Sequence, residues 1–296
     1  MAQMTSINFH QTFKPEKQYI AGILELAEDS SFKTVKEISS LTGIPTGASS
    51  GKVEPHIFYA NYMGLIHYEK QEGAYSLHRT SLGECVYSED PGLQEDLTIL
   101  LCHCMMQRVI NGASVWSYIF NKYYKRIKKD VERLDAVSVR ESETIPYLIN
   151  EVGIKKEILL KELNVPFEGK VTQKNIAPFY GAYDTFFSSM ELLDNDGDII
   201  RLKALSYNKE FIYLYAFILF QYWYEKYPKQ DEITSNQLAE LCFGKVFGWD
   251  MQSEYEVLEH LADHEIIRMN RQLMPYTILQ LVTAEELESK LYSELC

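Results

Sequence analysis

Residues 34–79, TVKEISSL-TGIPTGASSGK-VEPHIFYANYMGLI-HYEKQEGAYSLHR, constrain the fold more than any other stretch. Thr34 and Glu37 have capping-box spacing, and Val35, Ile38 and Leu41 supply the apolar stripe of a short helix. Gly, Ser and Pro crowd residues 42–51, which predicts a turn. VEPHIFYANYMGL reads as a second helix with Val53, Ile57, Ala60 and Gly64 on its inner side. Pro55 fits only a first turn, so that helix begins near Val53. IHYEK–QEGA–YSLHR alternates apolar and polar residues about a glycine-containing turn, the pattern of a β-hairpin. Upstream, Ile20, Ile23, Leu24 and Ala27 mark one buried helix face. Three helices and a hairpin in this order predict a winged helix-turn-helix over residues 1–90.

The C-terminal end repeats the plan. TSNQLAEL mirrors TVKEISSL, with Thr234 and Gln237 spaced as a capping box and Leu238 and Leu241 in the places of Ile38 and Leu41. SEYEVLEHLADHEII follows as a helix with a box at Ser253 and Glu256, and IIRMN–RQLMPYTILQL pairs as a second wing. Between the ends the pattern is helical, as in ASVWSYIFNKYYKRIKKDVERL, where Val115, Ile119, Tyr123 and Ile127 recur at helical spacing. The expected fold is mainly α with small β-hairpins. Winged helix-turn-helix domains at the N- and C-termini (residues 1–90 and 206–296) flank a helical middle at 91–205.

A chain of 296 residues with 46% hydrophobic content suits two or three compact cores. FIYLYAFILF, residues 211–220, is too short to span a bilayer and reads as a helix buried on all sides. No membrane association is expected. The start MAQMTSINFHQTF lacks the pattern of a secretory leader. Five cysteines, without a C-x-x-C pair, fit a reducing cytoplasm. The net charge of −13 argues against indiscriminate nucleic-acid binding. The charge is uneven, however: residues 108–174 carry 13 Lys and Arg against 9 Asp and Glu, whereas residues 175–296 carry 9 against 20.

Gly47–Gly51 is one residue short of a phosphate-binding P-loop, and Val53 follows Lys52 where a hydroxyl is required. A turn that contacts DNA phosphate fits better. The candidate DNA-binding residues are Ser49, Ser50, Lys52, His56 and Arg79, with Lys122, Lys125 and Lys129 of KYYKRIKK extending the track. The expected outward face of the second helix carries Lys52, Pro55, Tyr59 and Tyr62, flanked by His56 and Phe58. It is aromatic rather than basic, so it suits burial against protein as well as contact with DNA, and Tyr59 and Tyr62 are candidate interface anchors. Glu254, Glu256, Glu259, Asp263 and Glu265 on and after the C-terminal helix would repel a duplex, and Glu256, Glu259 and Asp263 are candidate protein-interface residues. DNDGD at residues 194–198 lacks the later ligands of a calcium loop and reads as a turn. Cys102, His103 and Cys104 would point to different sides of a helix. No catalytic residue, metal or cofactor is expected.

FHQTFKPEK, GIPTGASSGKVEPHI, YANYMGLI and NRQLMPYTI together resemble a bacterial family designated domain of unknown function 4007. The resemblance implies a cytoplasmic protein from defence and DNA-phosphorothioation gene neighbourhoods. His10, Thr12 and Phe13 match its N-terminal signature without an assigned role. The expected function is that of a non-enzymatic, DNA-associated accessory or regulatory protein with DNA and protein partners. Alternatives are an adaptor that uses its winged helices for assembly, including self-association, and an enzyme with an unrecognised acidic site.

Overall fold

The computed structural model describes residues 7–47, 51–120, 153–272 and 274–295. Among these, about half are helical, and the strands form small antiparallel sheets of three. The chain forms two compact units, one from Met1–Tyr118 with Ile154–Ile200 and the other from Ile119–Gly153 with Arg201–Cys296.

The first unit begins with α1 (Lys17–Leu26), β1 (Lys33–Thr34), α2 (Val35–Thr42), α3 (Val53–Tyr62), β2 (Ile66–Gln71) and β3 (Ala74–Arg79). Ile20, Ile23 and Leu24 of α1, and Ala27 just past its end, are buried as their spacing predicts. The capping box of α2 is formed in full: Glu37 N donates to Thr34 Oγ1 at 3.3 Å and Thr34 N to Glu37 Oε2 at 2.7 Å. Leu41 departs from expectation and is 63% exposed, since Ile38 alone carries the buried side of this two-turn helix. β2 and β3 pair antiparallel about Glu72 and Gly73, whose φ angles of 49° and 83° suit a two-residue hairpin turn. β1 adds on the far side of β3, giving the order β1-β3-β2. After the hairpin come α4 (Ser81–Glu89), α5 (Asp96–Met106) and α6 (Ser114–Tyr118).

The same plan recurs where it was not expected. β4 (Ile154–Lys155), α7 (Lys156–Leu163), α8 (Gln173–Tyr183), β5 (Leu193–Asp196) and β6 (Ile199–Leu202) form a sheet ordered β4-β6-β5. Of DNDGD, expected as a turn, Asp194, Asn195 and Asp196 belong to β5 and only Gly197 and Asp198 make the hairpin turn, with Gly197 at φ 54°. Thr172 and Asn175 cap α8 reciprocally.

In the second unit, α9 (Ile212–Lys226) is buried from Leu214 to Phe220, which fits its uninterrupted apolar sequence. Next come β7 (Glu232–Thr234), α10 (Ser235–Leu241), α11 (Met251–Asp263), β8 (Ile267–Asn270), β9 (Thr277–Gln280) and α12 (Ala284–Ser289). The sheet order is β7-β9-β8. Thr234 and Gln237 form the expected box. α11, however, starts earlier than the Ser253–Glu256 spacing suggested, because Asp250 Oδ1 accepts the Ser253 amide at 2.8 Å. No helix among the described residues is long and apolar enough to cross a membrane.

Candidate nucleic-acid interface

The turn before α3, α3 itself and the following hairpin were expected to face DNA. The structure covers α3 instead. Val53, Pro55, His56, Ile57, Tyr59 and Ala60 are all buried, so the helix has almost no outward face. The segment preceding α1 lies across it. Phe9 packs edge-on against Tyr59 and Tyr62, with ring centroids 5.0 and 4.6 Å apart, and Trp116 of α6 lies 5.8 Å from Phe9. Gln11 Nε2 donates to Glu54 Oε2 at 3.2 Å, and Tyr59 Oη donates to the Phe13 carbonyl at 3.0 Å. Gln11 and Thr12 both have positive φ, 46° and 75°, which bends this strap down onto the helix. For a β-branched threonine that conformation is strained, and the contacts on either side hold it. His10, Thr12 and Phe13 thus belong to a clamp.

His56 is corrected from a DNA contact to a buried link in that clamp. Its Nδ1 donates to the Lys52 carbonyl at 2.6 Å and its Nε2 accepts the Glu16 amide at 3.2 Å. Both ring nitrogens are engaged only in the neutral form, and burial holds the pKa down to about 4. His10 is also fully buried, accepts the Thr12 amide on Nδ1 at 3.1 Å, and is held down by burial to about 4.

Lys52 turns inward. Its Nζ pairs with Glu16 Oε1 at 2.6 Å and sits 5.4 Å from the Tyr19 ring centroid. Arg79 is corrected more sharply, for its side chain is only 4% exposed. Nε and Nη2 donate to the Leu24 and Glu25 carbonyls at 2.8 and 3.1 Å, while the guanidinium lies 3.5 Å over Tyr87. It caps the C-terminus of α1, where open carbonyls and the helix dipole favour a cation. Tyr59, expected as an interface anchor, is fully buried within its own unit, and Tyr62 is half-buried against Phe9. Ser49, Ser50, Lys122, Lys125 and Lys129 lie outside the described residues.

The burial of α3 had a signal in the sequence. VEPHIFYANY carries one charge in ten residues, and a helix facing water or phosphate normally carries more.

The corresponding helix of the second unit, α11, is acidic on its open side as expected. Glu256 and Asp263 are exposed, and Glu259 pairs with Arg271 at 2.8 Å. Glu254 is set apart from these acids. Its Oε2 accepts the Gly244 amide at 2.8 Å, and burial raises its pKa.

The third such helix, α8, was not anticipated at all. It buries Ile176, Phe179, Ala182 and Tyr183, with Phe179 edge-on to Trp116 at 5.3 Å, and leaves Gln173, Lys174 and Ala177 exposed. The Lys14 side chain crosses α8 at Gly181, and Lys156 Nζ lies 5.0 Å from the Tyr180 ring centroid.

Cys102, His103 and Cys104 are buried on α5, and the Tyr183 hydroxyl lies 3.0 Å from His103 Nδ1. Burial pushes the Cys102 and Cys104 thiols up. No three His, Cys, Asp or Glu side chains converge as metal ligands among the described residues.

Two solved structures are similar to this chain over nearly its whole length. They are a magnesium ion-bound SspB crystal structure, with a TM-score of 0.68, and an SspB crystal structure, with a TM-score of 0.67. Each is 14% identical to this chain, and each match covers 99% of this chain and 88% of that one. At that identity the likeness is one of fold. No family model and no curated protein matches the chain.

Proposed function

We propose that this chain is a non-enzymatic, DNA-associated component of a bacterial DNA-modification or defence assembly, built from winged-helix units. The observation that carries this reading is the recurrence, three times, of strand, helix, helix and hairpin with one sheet order. That recurrence supports a winged helix-turn-helix reading, in which the second helix and the hairpin would be presented to a macromolecule. The likeness in fold to SspB supports a shared architecture across the chain. The sequence resemblance to domain of unknown function 4007 supports the setting among phosphorothioation genes. Copies with α3 and α11 as second helix are unsuited to holding DNA, one being buried and the other acidic.

The test is a titration of plain and phosphorothioate-modified duplexes by fluorescence anisotropy across a range of salt. Binding should weaken as salt rises, with a log–log slope corresponding to a few released counterions. A flat salt response on both duplexes defeats the reading. The exposed acids of α11 favour a second role beside the first, as a docking face for a basic protein partner.

A further inference from the structure

We infer that the groove between α1, the end of α2 and the end of α4 is a docking site for a basic amphipathic segment of a partner protein. The groove lies within the first unit, apart from α11, and its role does not require the proposed DNA association.

Its shape comes from an incomplete meeting of three helices. α1 and α2 touch at Gly22 and Thr42, where a Cβ on the glycine would lie 3.4 Å from the Thr42 Cβ. Beside that contact a cavity of about 670 Å³ remains, lined by Leu26 of α1, Leu41 of α2, Tyr87 of α4 and Pro91 just beyond it. Leu41 is the telling residue. Its spacing from Val35 and Ile38 puts it on the apolar stripe of α2, yet it is 63% exposed whereas Ile38 is fully buried. A leucine, an aromatic ring and a proline gathered in one concavity are surface that a partner can cover.

The charge around this groove has one sign. Glu25, Glu28 and Asp29 line it, all three exposed, and no Lys or Arg does. Glu25 is in no salt bridge among the described residues, and Glu28 approaches Arg79 only at 3.9 Å. Asp29 pairs with Lys33 at 2.9 Å, while Arg79 is shared with Glu84 at 3.1 Å. The neighbouring cations therefore fall short of the acids. Such a rim repels phosphate and draws a cation.

The kind of occupant follows from how the two features are arranged. Small-molecule sites place polar groups inside, where they orient a ligand. Here the charged groups are exposed and apolar side chains supply other walls, as in a protein interface with an apolar centre and polar rim. The acids do not converge as metal ligands. A helix with leucine-sized residues at i, i+3 or i+4, and i+7 suits the walls at Leu26, Leu41 and Tyr87. Lys or Arg beside those residues suits Glu25 and Glu28.

The full chain is titrated, by fluorescence anisotropy, against a labelled helical peptide of about 18 residues with Leu on one face and Lys on the other. Two control peptides carry Ser for Leu, or Glu for Lys. The Leu/Lys peptide should bind, and each control should bind about ten-fold more weakly or worse. Leu41→Ser should weaken binding about ten-fold at every salt concentration. Glu25→Gln with Glu28→Gln should weaken it about ten-fold at low salt and less at high salt. Glu256→Gln with Asp263→Asn, on α11, should leave affinity unchanged. All the substituted side chains are exposed, and far-UV circular dichroism with urea midpoints establishes that each variant is folded. Should one groove variant fail to fold, the other decides. Failure of the wild type to bind overturns the assignment, as does wild-type affinity in the groove variants or loss of binding through α11 alone. If Leu41→Ser turns a dimer into a monomer in sedimentation, a second copy fills the groove and the partner assignment falls. Duplex binding is measured separately, so either result on the groove leaves the salt-dependent test of DNA association standing.

Discussion

His10 and His56 show how a polar residue can be enlisted by a core. Each takes its place as a neutral ring, His10 within the strap and His56 on the helix beneath it, and burial holds each down to about 4 from an ordinary value of 6.5. Between those values the unfolded chain binds protons that the folded chain does not. Stability should therefore be complete above about pH 6.5 and decline as pH falls toward 4. The loss should reach roughly 2 kcal/mol per histidine by about pH 5. Urea midpoints measured from neutral pH down to about pH 5 check this, and His10→Gln should reduce the slope by one histidine's share. A profile unchanged by that substitution would show that His10 is not buried as described. Arg79 makes a related point. Arg79→Ala should destabilise by about 2–3 kcal/mol, since it uncaps α1 and empties a buried position. Its duplex affinity, measured below the unfolding transition, should stay at the wild-type level.

At the scale of elements, the junction between hairpin and helix is held by atoms that leave little room. Thr80 Oγ1 donates to the Gly64 carbonyl at 2.6 Å and accepts the Gly83 amide at 2.8 Å, joining α4 to the exit of α3. A Cβ on Gly83 would lie 1.8 Å from the Leu65 carbonyl oxygen, and neither partner is a side chain that can swing aside. Gly83→Ala should thus cost about 3 kcal/mol or more, read as a large drop in urea midpoint. Gly73→Ala, at φ 83° in an open turn, should cost only about 1 kcal/mol. Helix caps give a gentler comparison. Thr34→Ala and Thr234→Ala should each cost about 1 kcal/mol, because each box satisfies two otherwise open amides. Equal costs at the two sites would support the equivalence of the first and last copies.

For the molecule as a whole, charge sets the terms of the proposed contact with DNA. The chain carries −13 overall, so a duplex must meet a local surface that opposes the general field. Reversing the exposed acids with Glu256→Lys and Asp263→Lys should tighten duplex binding several-fold at low salt and change it little at high salt. The same pair should release any basic partner held by α11, which co-purification measures. Tighter DNA binding without partner loss would leave α11 a solvated surface with no docking role.

Local chemistry determined a good part of this protein. Thr34 with Glu37, Thr234 with Gln237, the Glu72-Gly73 turn and the apolar spacing of α1 were legible because each depends on neighbours within a few residues. The third copy was harder to see. Its first helix, α7, follows Lys155 with no side-chain cap, and its reciprocal cap, Thr172 with Asn175, opens the second helix instead. The fate of α3 depended on contacts from far along the chain: Phe9, Glu16 and Trp116 bury the face that spacing alone turned outward. So it was with Arg79, whose charge suggested phosphate until the carbonyls ending α1 claimed it. Periodicity states that a helix has an apolar side. Whether its other side meets water, a strap or a duplex is decided only when distant segments compete to cover it.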